Sequence, residues 1–258
     1  MVIMLVVGAY FIGVYKTETE YLKKGAANTV AAVGQTTQPA QTTQQGSPTT
    51  VDESKVLAKF DGHHITFGDK NAKLVITEIS DPSCPYCHVA GGLDPELDNQ
   101  MGSQFKSVKD GGTYQPAVPE IRKLVDAGKA SFLWIYAPGH GNGEVGTQAL
   151  YCAYEQGKFW EAHDILMAQT GYDLLNNTVK NDMSKSKLVV AALSKVLDGP
   201  KLQTCLDSKK YASQPADDTA FVQSLGFGAT PTFFLNDKVV EGAASWDQAF
   251  KSIVDPLI

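Results

Sequence analysis

The sequence predicts an α/β fold: a central mixed β-sheet flanked by helices, with a helical subdomain inserted into it. Three observations predict it. The β-branched and apolar run KLVITEIS (73–80) leads straight into a turn and a helix start, DPSCPYCHVA. A second such run, SFLWIY (131–136), is followed by a block of helical segments. The chain then closes on a strand, a tight turn, a shorter strand and a helix. Strands and helices in this order pack as a sheet with helices on its faces.

In chain order, residues 1–15 (MVIMLVVGAYFIGVY) are almost wholly apolar and end abruptly at Lys16, which reads as a membrane-targeting segment. The segment is shorter than the roughly 20 residues that cross a bilayer as a helix, and no basic stretch precedes it, so an anchor or signal starting further upstream is the expectation. Lys16, Lys23 and Lys24 follow the segment, an arrangement that on its own would favour a cytoplasmic C-terminal side. Residues 28–50 hold no charge and no aromatic residue, and their TTQPAQTTQQGSPTT tract has nothing to build a core from. The expected organisation is an anchor or signal with its juxtamembrane stretch (1–27), a disordered tether (28–50) and one soluble domain (51–258).

Within that domain, Pro82 and Pro85 punctuate the chain between the first strand and its helix. PEIRKLVDAGK reads as helix before the strand at 131–136. Two longer helical segments, 144–156 and 158–169, are separated by Gly157, and further helix is expected at 185–196, 200–206 and 219–225. This block, about 139–225, is the insertion. Strand returns at 232–235 (TFFL), turns at Asn236 and Asp237, resumes at Val239 and Val240, and gives way to a closing helix from about Trp246.

A hydrophobic content of 43% over 258 residues supports one main core of roughly 150 to 200 residues. The net charge of -6, with 22 Lys and Arg spread along the chain, argues against nucleic acid as a partner, because neutralising phosphates needs a basic stripe. Four cysteines are too few for a disulfide-built scaffold in a chain of this length, so each is read by position.

Cys84-Pro85-Tyr86-Cys87 sets two thiols one helical turn apart at a helix start, where free backbone N–H groups and the positive end of the helix dipole favour a thiolate. A thiolate is the attacking species in disulfide exchange. A low thiol pKa at Cys84 also makes that sulfur the better leaving group. Cys87 then serves as the resolving thiol. Because His88 follows, the string is also C-x-x-C-H, the pattern of c-type haem attachment, and a zinc site or a purely structural disulfide are further readings. The Pro at the helix start counts against haem, and the want of a second CxxC counts against zinc. The tight ring that this spacing closes counts against a structural bond. His88 is read as a local modulator or a solvent-facing group. His63, His64, His140 and His163 lack ligand-like spacing and are read as surface or satisfied core groups, Phe159 and Trp160 as core aromatics. No metal and no cofactor are expected.

Four stretches, TEISDPSCPYC, GTQALYCAYEQGKFWEAHDIL, CLDSKKY and GFGATPTFFLND followed by Val239, Val240, Glu241 and Gly242, together resemble the DsbA-like thioredoxin-fold proteins, a group of bacterial envelope disulfide oxidoreductases. The resemblance runs from about Gly68 to the C-terminus. It implies a thioredoxin-like fold and a cis Thr230-Pro231 bond beside the dithiol, where the backbone before the proline pairs with an extended substrate. An ordinary trans-Pro opening the TFFL strand is the alternative from residues alone. It also implies that Glu78, six residues before Cys84, is the family's buried acid and takes the proton of Cys87; a strand-edge Glu reaching solvent is the alternative. Cys152 and Cys205 fall on two segments of the insertion, and an oxidising compartment would favour their pairing, with two buried free thiols as the other reading. The sequence departs from the family at Pro82, where many members carry an aromatic residue, and at Tyr86, where the strongest oxidases place a His.

The expectation for function is an extracytoplasmic, monomeric thiol oxidase, in the periplasm or on the outer face of the cell membrane. On this reading its Cys84–Cys87 disulfide is attacked by thiols of unfolded secreted proteins and is restored by a membrane quinone-linked oxidase. An isomerase or reductase is the second reading; family isomerases dimerise through a folded N-terminal domain, which the polar tract at 28–50 is unsuited to form. A non-redox peptide-binding chaperone is the third.

Overall fold

The computed structural model describes residues 50–258. The apolar segment at 1–15 and all of the tether but its last residue lie outside the described residues. A short helix, α1 (Glu53–Leu57), opens the domain, capped by Asp52, whose side chain accepts from Ser54 N at 3.1 Å. Five strands then make one sheet: β1 (Ile65–Phe67), β2 (Val75–Ser80), β3 (Ser131–Tyr136), β4 (Thr232–Leu235) and β5 (Lys238–Glu241). Their order is β1-β3-β2-β4-β5, with β2 and β3 parallel and every other pair antiparallel.

A parallel pair needs a crossover. Helices α2 (Pro85–Gly91), α3 (Pro95–Met101) and α4 (Ala117–Asp126) supply it between β2 and β3. Pro85 occupies the first turn of α2, where its missing N–H costs nothing, and Gly92 ends the helix at φ +64° with its N–H on the His88 and Val89 carbonyls.

The insertion holds α5 (Glu144–Glu155), α6 (Phe159–Leu166), α7 (Gln169–Asp173) running into a π-helical turn (Leu174–Val179), α8 (Ser186–Leu193), α9 (Gly199–Asp207) and α10 (Gln214–Ser224). Gly157, at φ +67°, makes the break between α5 and α6. The expected single helix at 158–169 is two, because Ala168 is extended at ψ 164°; Met167 beside it is buried against the dithiol. Helix α10 begins five residues before the expected position, since Pro215 sits in its first turn instead of breaking it. The disulfide Cys152–Cys205 joins α5 to α9, 53 residues apart in sequence, with Cα atoms 6.1 Å apart.

All six residues of β2 and all six of β3 are buried, so this pair is the spine of the sheet. One face carries Ile76, Phe132, Trp134, Phe233 and Leu235 into the large core shared with α5 and α6. The opposite face carries Ile79, Leu133, Ile135 and Phe234 against Val56, Val222 and Phe227. Burying each such side chain contributes about 1.5–3 kcal/mol. By the two-residue alternation of a strand, Glu78 and Ser80 share the face of Ile76. The register sets Glu78 between Trp134 on β3 and Phe233 on β4, in the middle of the sheet.

Candidate active site

Cys84 is the N-cap of α2 and Cys87 lies in its first turn. Both thiols are unbonded, Cys84 3% and Cys87 0% exposed. The peptide bond Thr230-Pro231 is cis, and Cys84 Sγ lies 3.5 Å from the Thr230 carbonyl oxygen. The chain crossing at residue 139 approaches so closely that a side chain there would overlap Thr230 Oγ1 and lie 3.1 Å from Cys84 Sγ, which explains Gly139. Helix start, cis-proline turn and Gly139 therefore converge on one sulfur.

The two thiols differ in acidity. Cys84 is lowered to about 7, first by the hydrogen bond from the Cys87 thiol and then by Thr230 against the opposing effect of burial. Cys87 is pushed well up by burial and by Cys84. The outer sulfur is thus the more readily ionised of the two, and the inner one the less.

Glu78 is fully buried, neither of its carboxyl oxygens has a hydrogen-bond partner, and burial raises its pKa. The Ser80 hydroxyl, on the same strand face, lies near enough to both the Glu78 carboxyl and the Cys87 thiol to favour their ionised forms, yet completes a hydrogen bond to neither. A buried acid, a hydroxyl and the inner thiol are therefore neighbours. That arrangement can move one proton to or from Cys87.

Of the dipeptide between the cysteines, Pro85 opens the helix and Tyr86 is 45% exposed, its ring edge-on to Phe105. His88 does not face solvent. It is wholly buried, its Nε2 lies 2.9 Å from the Pro82 carbonyl, its ring meets Tyr172 edge-on, and burial lowers its pKa to about 4. The turn before the dithiol drew it inward, which the sequence alone did not indicate. His64 is a satisfied core group, 3.0 Å from Asp61. His163 departs from that expectation: it is buried and its Nε2 has no partner.

Asp81 was not singled out from sequence, yet it organises the site. One of its oxygens accepts from Ser83 N and Oγ, both at 2.7 Å, and the other from Gly139 N and His140 N at 2.8 and 2.9 Å. Ser83 Oγ in turn accepts from Asn142 N, while Asn176 donates to the Ser83 carbonyl. The dithiol turn, the start of the insertion and its π-helical turn are thereby tied together. An Asp just before a Pro-Ser turn is the only signal that could have pointed to this clamp.

Among the described residues no group of three or more His, Cys, Asp or Glu is placed to hold a metal ion, and no helix is long and apolar enough to cross a membrane.

A family model described as Thioredoxin matches residues 115–255, over half of the chain; the match contains Thr230 and Pro231 but not the dithiol. Among curated proteins, the chain is 26% identical over 174 residues to Na(+)/H(+) antiporter NhaA 3 of Salinispora tropica, covering 66% of this chain and 21% of that protein. It thus spans about a fifth of the length of that relative. It is 24% identical to Disulfide bond formation protein D of Bacillus subtilis, over 72% of this chain and 73% of that one. Among solved structures, oxidised BdbD from Bacillus subtilis superposes with a TM-score of 0.55 at 22% identity, covering 76% of this chain and 94% of that one. DsbA from Chlamydia trachomatis does so with a TM-score of 0.52 at 20% identity, over 88% and 97%.

Proposed function

The chain belongs to the thioredoxin family and has the fold of DsbA-type proteins, and from that premise we propose that it is an extracytoplasmic thiol-disulfide oxidoreductase that oxidises thiols of secreted or envelope proteins through Cys84 and Cys87. The observation that carries this is the placing of both thiols at one helix start, with Cys84 Sγ 3.5 Å from the carbonyl oxygen that precedes cis-Pro231; the lowered pKa of Cys84 and the raised pKa of Cys87 accord with it.

In the oxidising direction a client thiolate attacks Cys84 Sγ, the Cys84–Cys87 bond breaks, and Cys87 leaves as a thiolate that takes a proton from Glu78. A second client thiolate attacks the client sulfur of the mixed disulfide, the new client disulfide forms, and Cys84 leaves as a thiolate. The low pKa of Cys84 makes this departure easy. The backbone of Thr230 beside Pro231 and the exposed ring of Tyr86 form the surface on which an extended client lies. A quinone-linked membrane thiol oxidase is the reoxidant that such a cycle calls for, and an N-terminal anchor with the tether at 28–50 would hold the domain within its reach.

Equilibration of the purified protein in a glutathione redox series, read by mass after thiol alkylation, tests the direction of flow. A potential near or above about -180 mV supports an oxidase. A value near thioredoxin's, about -270 mV, means that the protein reduces or isomerises disulfides instead. Undiminished function in a Cys84→Ser variant would establish the peptide-binding chaperone.

A further inference from the structure

Burial leaves Glu78 with a difficulty that the exchange cycle has to resolve. Burial favours the protonated form of its carboxyl group in the middle of the sheet, away from solvent, so a base is needed to empty it before it can accept from Cys87, and an acid to refill it in the opposite direction. The dithiol does not offer this, since Cys87 is itself the group being served.

His163 lies on α6, the helix packed on the sheet face that carries Glu78 and Ser80. Its ring is 1% exposed and wedged against Phe159 and Trp160, with centroids 5.7 and 5.5 Å away. The Nδ1 atom is 3.3 Å from Asp164 Oδ1 and the Nε2 atom has no partner. When Nδ1–H donates to that carboxylate, Nε2 is left as a free acceptor inside the same apolar core as the two unpartnered oxygens of Glu78. The imidazole is also near enough to Glu78 to favour its carboxylate form. Asp164 is 42% exposed and is held by Arg122 at 2.9 Å. His163, Asp164, Arg122 and Trp160 line a surface cavity of about 270 Å³ floored by Gly91 and Leu93. The imidazole therefore has one nitrogen on Asp164 beside the cavity and the other unpartnered within the core.

We propose that His163 is the proton relay between Glu78 and solvent, with Asp164 as its outer partner, so that Cys87 exchanges its proton through the floor of the domain and not past the substrate at Cys84. The inference rests on the thiol-disulfide exchange proposed above. When reduced protein meets a small disulfide such as glutathione disulfide, Cys84 thiolate attacks one of its sulfurs and one glutathione leaves as a thiolate. His163 Nε2 takes the proton of the Glu78 carboxyl while Nδ1–H passes to Asp164 and water; the ring regains its first tautomer in the opposite half-reaction, when Nε2–H refills Glu78 and water reprotonates Nδ1. Glu78 carboxylate takes the Cys87 proton, Cys87 thiolate attacks Cys84 Sγ, and the second glutathione departs as a thiolate. Two electrons and the one proton of Cys87 leave the pair that began as the Cys84 thiolate, and the two glutathione thiolates are protonated by water. The titratable and charged groups about His163 are Glu78 from β2, His88 from α2, Arg122, Lys123 and Asp126 from α4 and Asp164 from its own helix. Burial lowers the pKa of His88 to about 4, which makes that imidazole a poor base.

The test is rapid-quench kinetics of the full chain with glutathione disulfide between pH 5 and 9, separating formation of the mixed disulfide at Cys84 from its resolution by Cys87. His163→Gln is expected to slow resolution about tenfold, most at the acid end of the range where Glu78 is most protonated, a modest fraction of what positioned proton transfer supplies, while leaving mixed-disulfide formation unchanged. Asp164→Asn, at a half-exposed position where folding is not at risk, should slow the same step by a smaller factor. Added imidazole, admitted by the cavity, should restore resolution in His163→Ala. A resolution rate and pH profile equal to wild type in His163→Gln would overturn the relay. So would a loss equal at every pH, without imidazole rescue and with Asp164→Asn at the wild-type rate, which would assign His163 to packing. If instead the wild type forms no mixed disulfide, or Cys84→Ser reacts as fast, the oxidoreductase reading itself fails and the relay has no reaction to serve.

Discussion

Cys84 and Cys87 stand three residues apart at the start of one helix, buried but unbonded, whereas Cys152 and Cys205 join two helices of the insertion across 53 residues. The first pair meets the N-terminus of α2, the Thr230 carbonyl and a buried acid. The second runs from Cys152, buried in the large core, to Cys205, half-buried at the rim of a surface cavity beside Glu155. The same two atoms are thus given opposite tasks by their surroundings. Where neighbouring groups separate the acidities of the sulfurs, a dithiol can exchange; where the partners lie far apart in sequence, a bond constrains the unfolded chain.

The sharpest way to break this contrast is to remove one sulfur from each pair. Cys84→Ser should lower the rate of exchange with a small disulfide by more than about 1,000-fold, because a hydroxyl cannot replace the thiolate nucleophile. The melting temperature should barely move. The double replacement Cys152→Ala with Cys205→Ala should do the reverse, costing about 4 kcal/mol by the chain-entropy estimate for its loop. That corresponds to a fall of about 10 °C in Tm, measured by calorimetry, with the reaction at Cys84 preserved.

Two smaller changes sharpen the account of the first pair. Glu78→Leu should stabilise the fold by about 1–3 kcal/mol at pH 8, the cost of an unpartnered buried polar group, while slowing resolution by Cys87. The gain should shrink toward pH 4. A native pKa raised above the unfolded one means that Glu78 loses its stability contribution as pH rises through that window, so replacing it helps most at high pH. Chemical denaturation at both pH values checks the sign. The smallest effect is expected from Tyr86→His. Alkylation of Cys84 in the wild type should rise with pH and level off above about 7, and a cation beside the thiols should move that midpoint down by less than about one unit.

Much of the architecture is legible in the sequence because long apolar runs have few alternatives. SFLWIY and TFFL are strands at the expected residues, and KLVITEIS is one from Val75. What escaped are elements too short to show a period, such as the three residues of β1, and turns whose logic is spatial. Met167 ends a helix because it is needed under the dithiol, and Pro215 starts one. In the site, CPYC announces itself by spacing. Asp81, Asn142 and Asn176 do not, since their partners lie 58 residues or more away from Asp81 or Ser83 in sequence. His163 is silent for the same reason: nothing along the chain relates it to Glu78.

The Asp81 clamp has a bearing on which chains such a surface can receive. Four hydrogen bonds from one buried carboxylate hold the dithiol turn and the first residues of the insertion as a single rigid edge. An edge of this kind keeps its shape when something docks on it, so the loss of conformational freedom on association falls on the visitor. A pliant, unstructured segment can adopt the required extension at modest entropic cost, whereas a cysteine locked in a finished domain would first have to be pried loose. On the function proposed above, discrimination between immature and mature proteins would thus come from stiffness on one side and slack on the other.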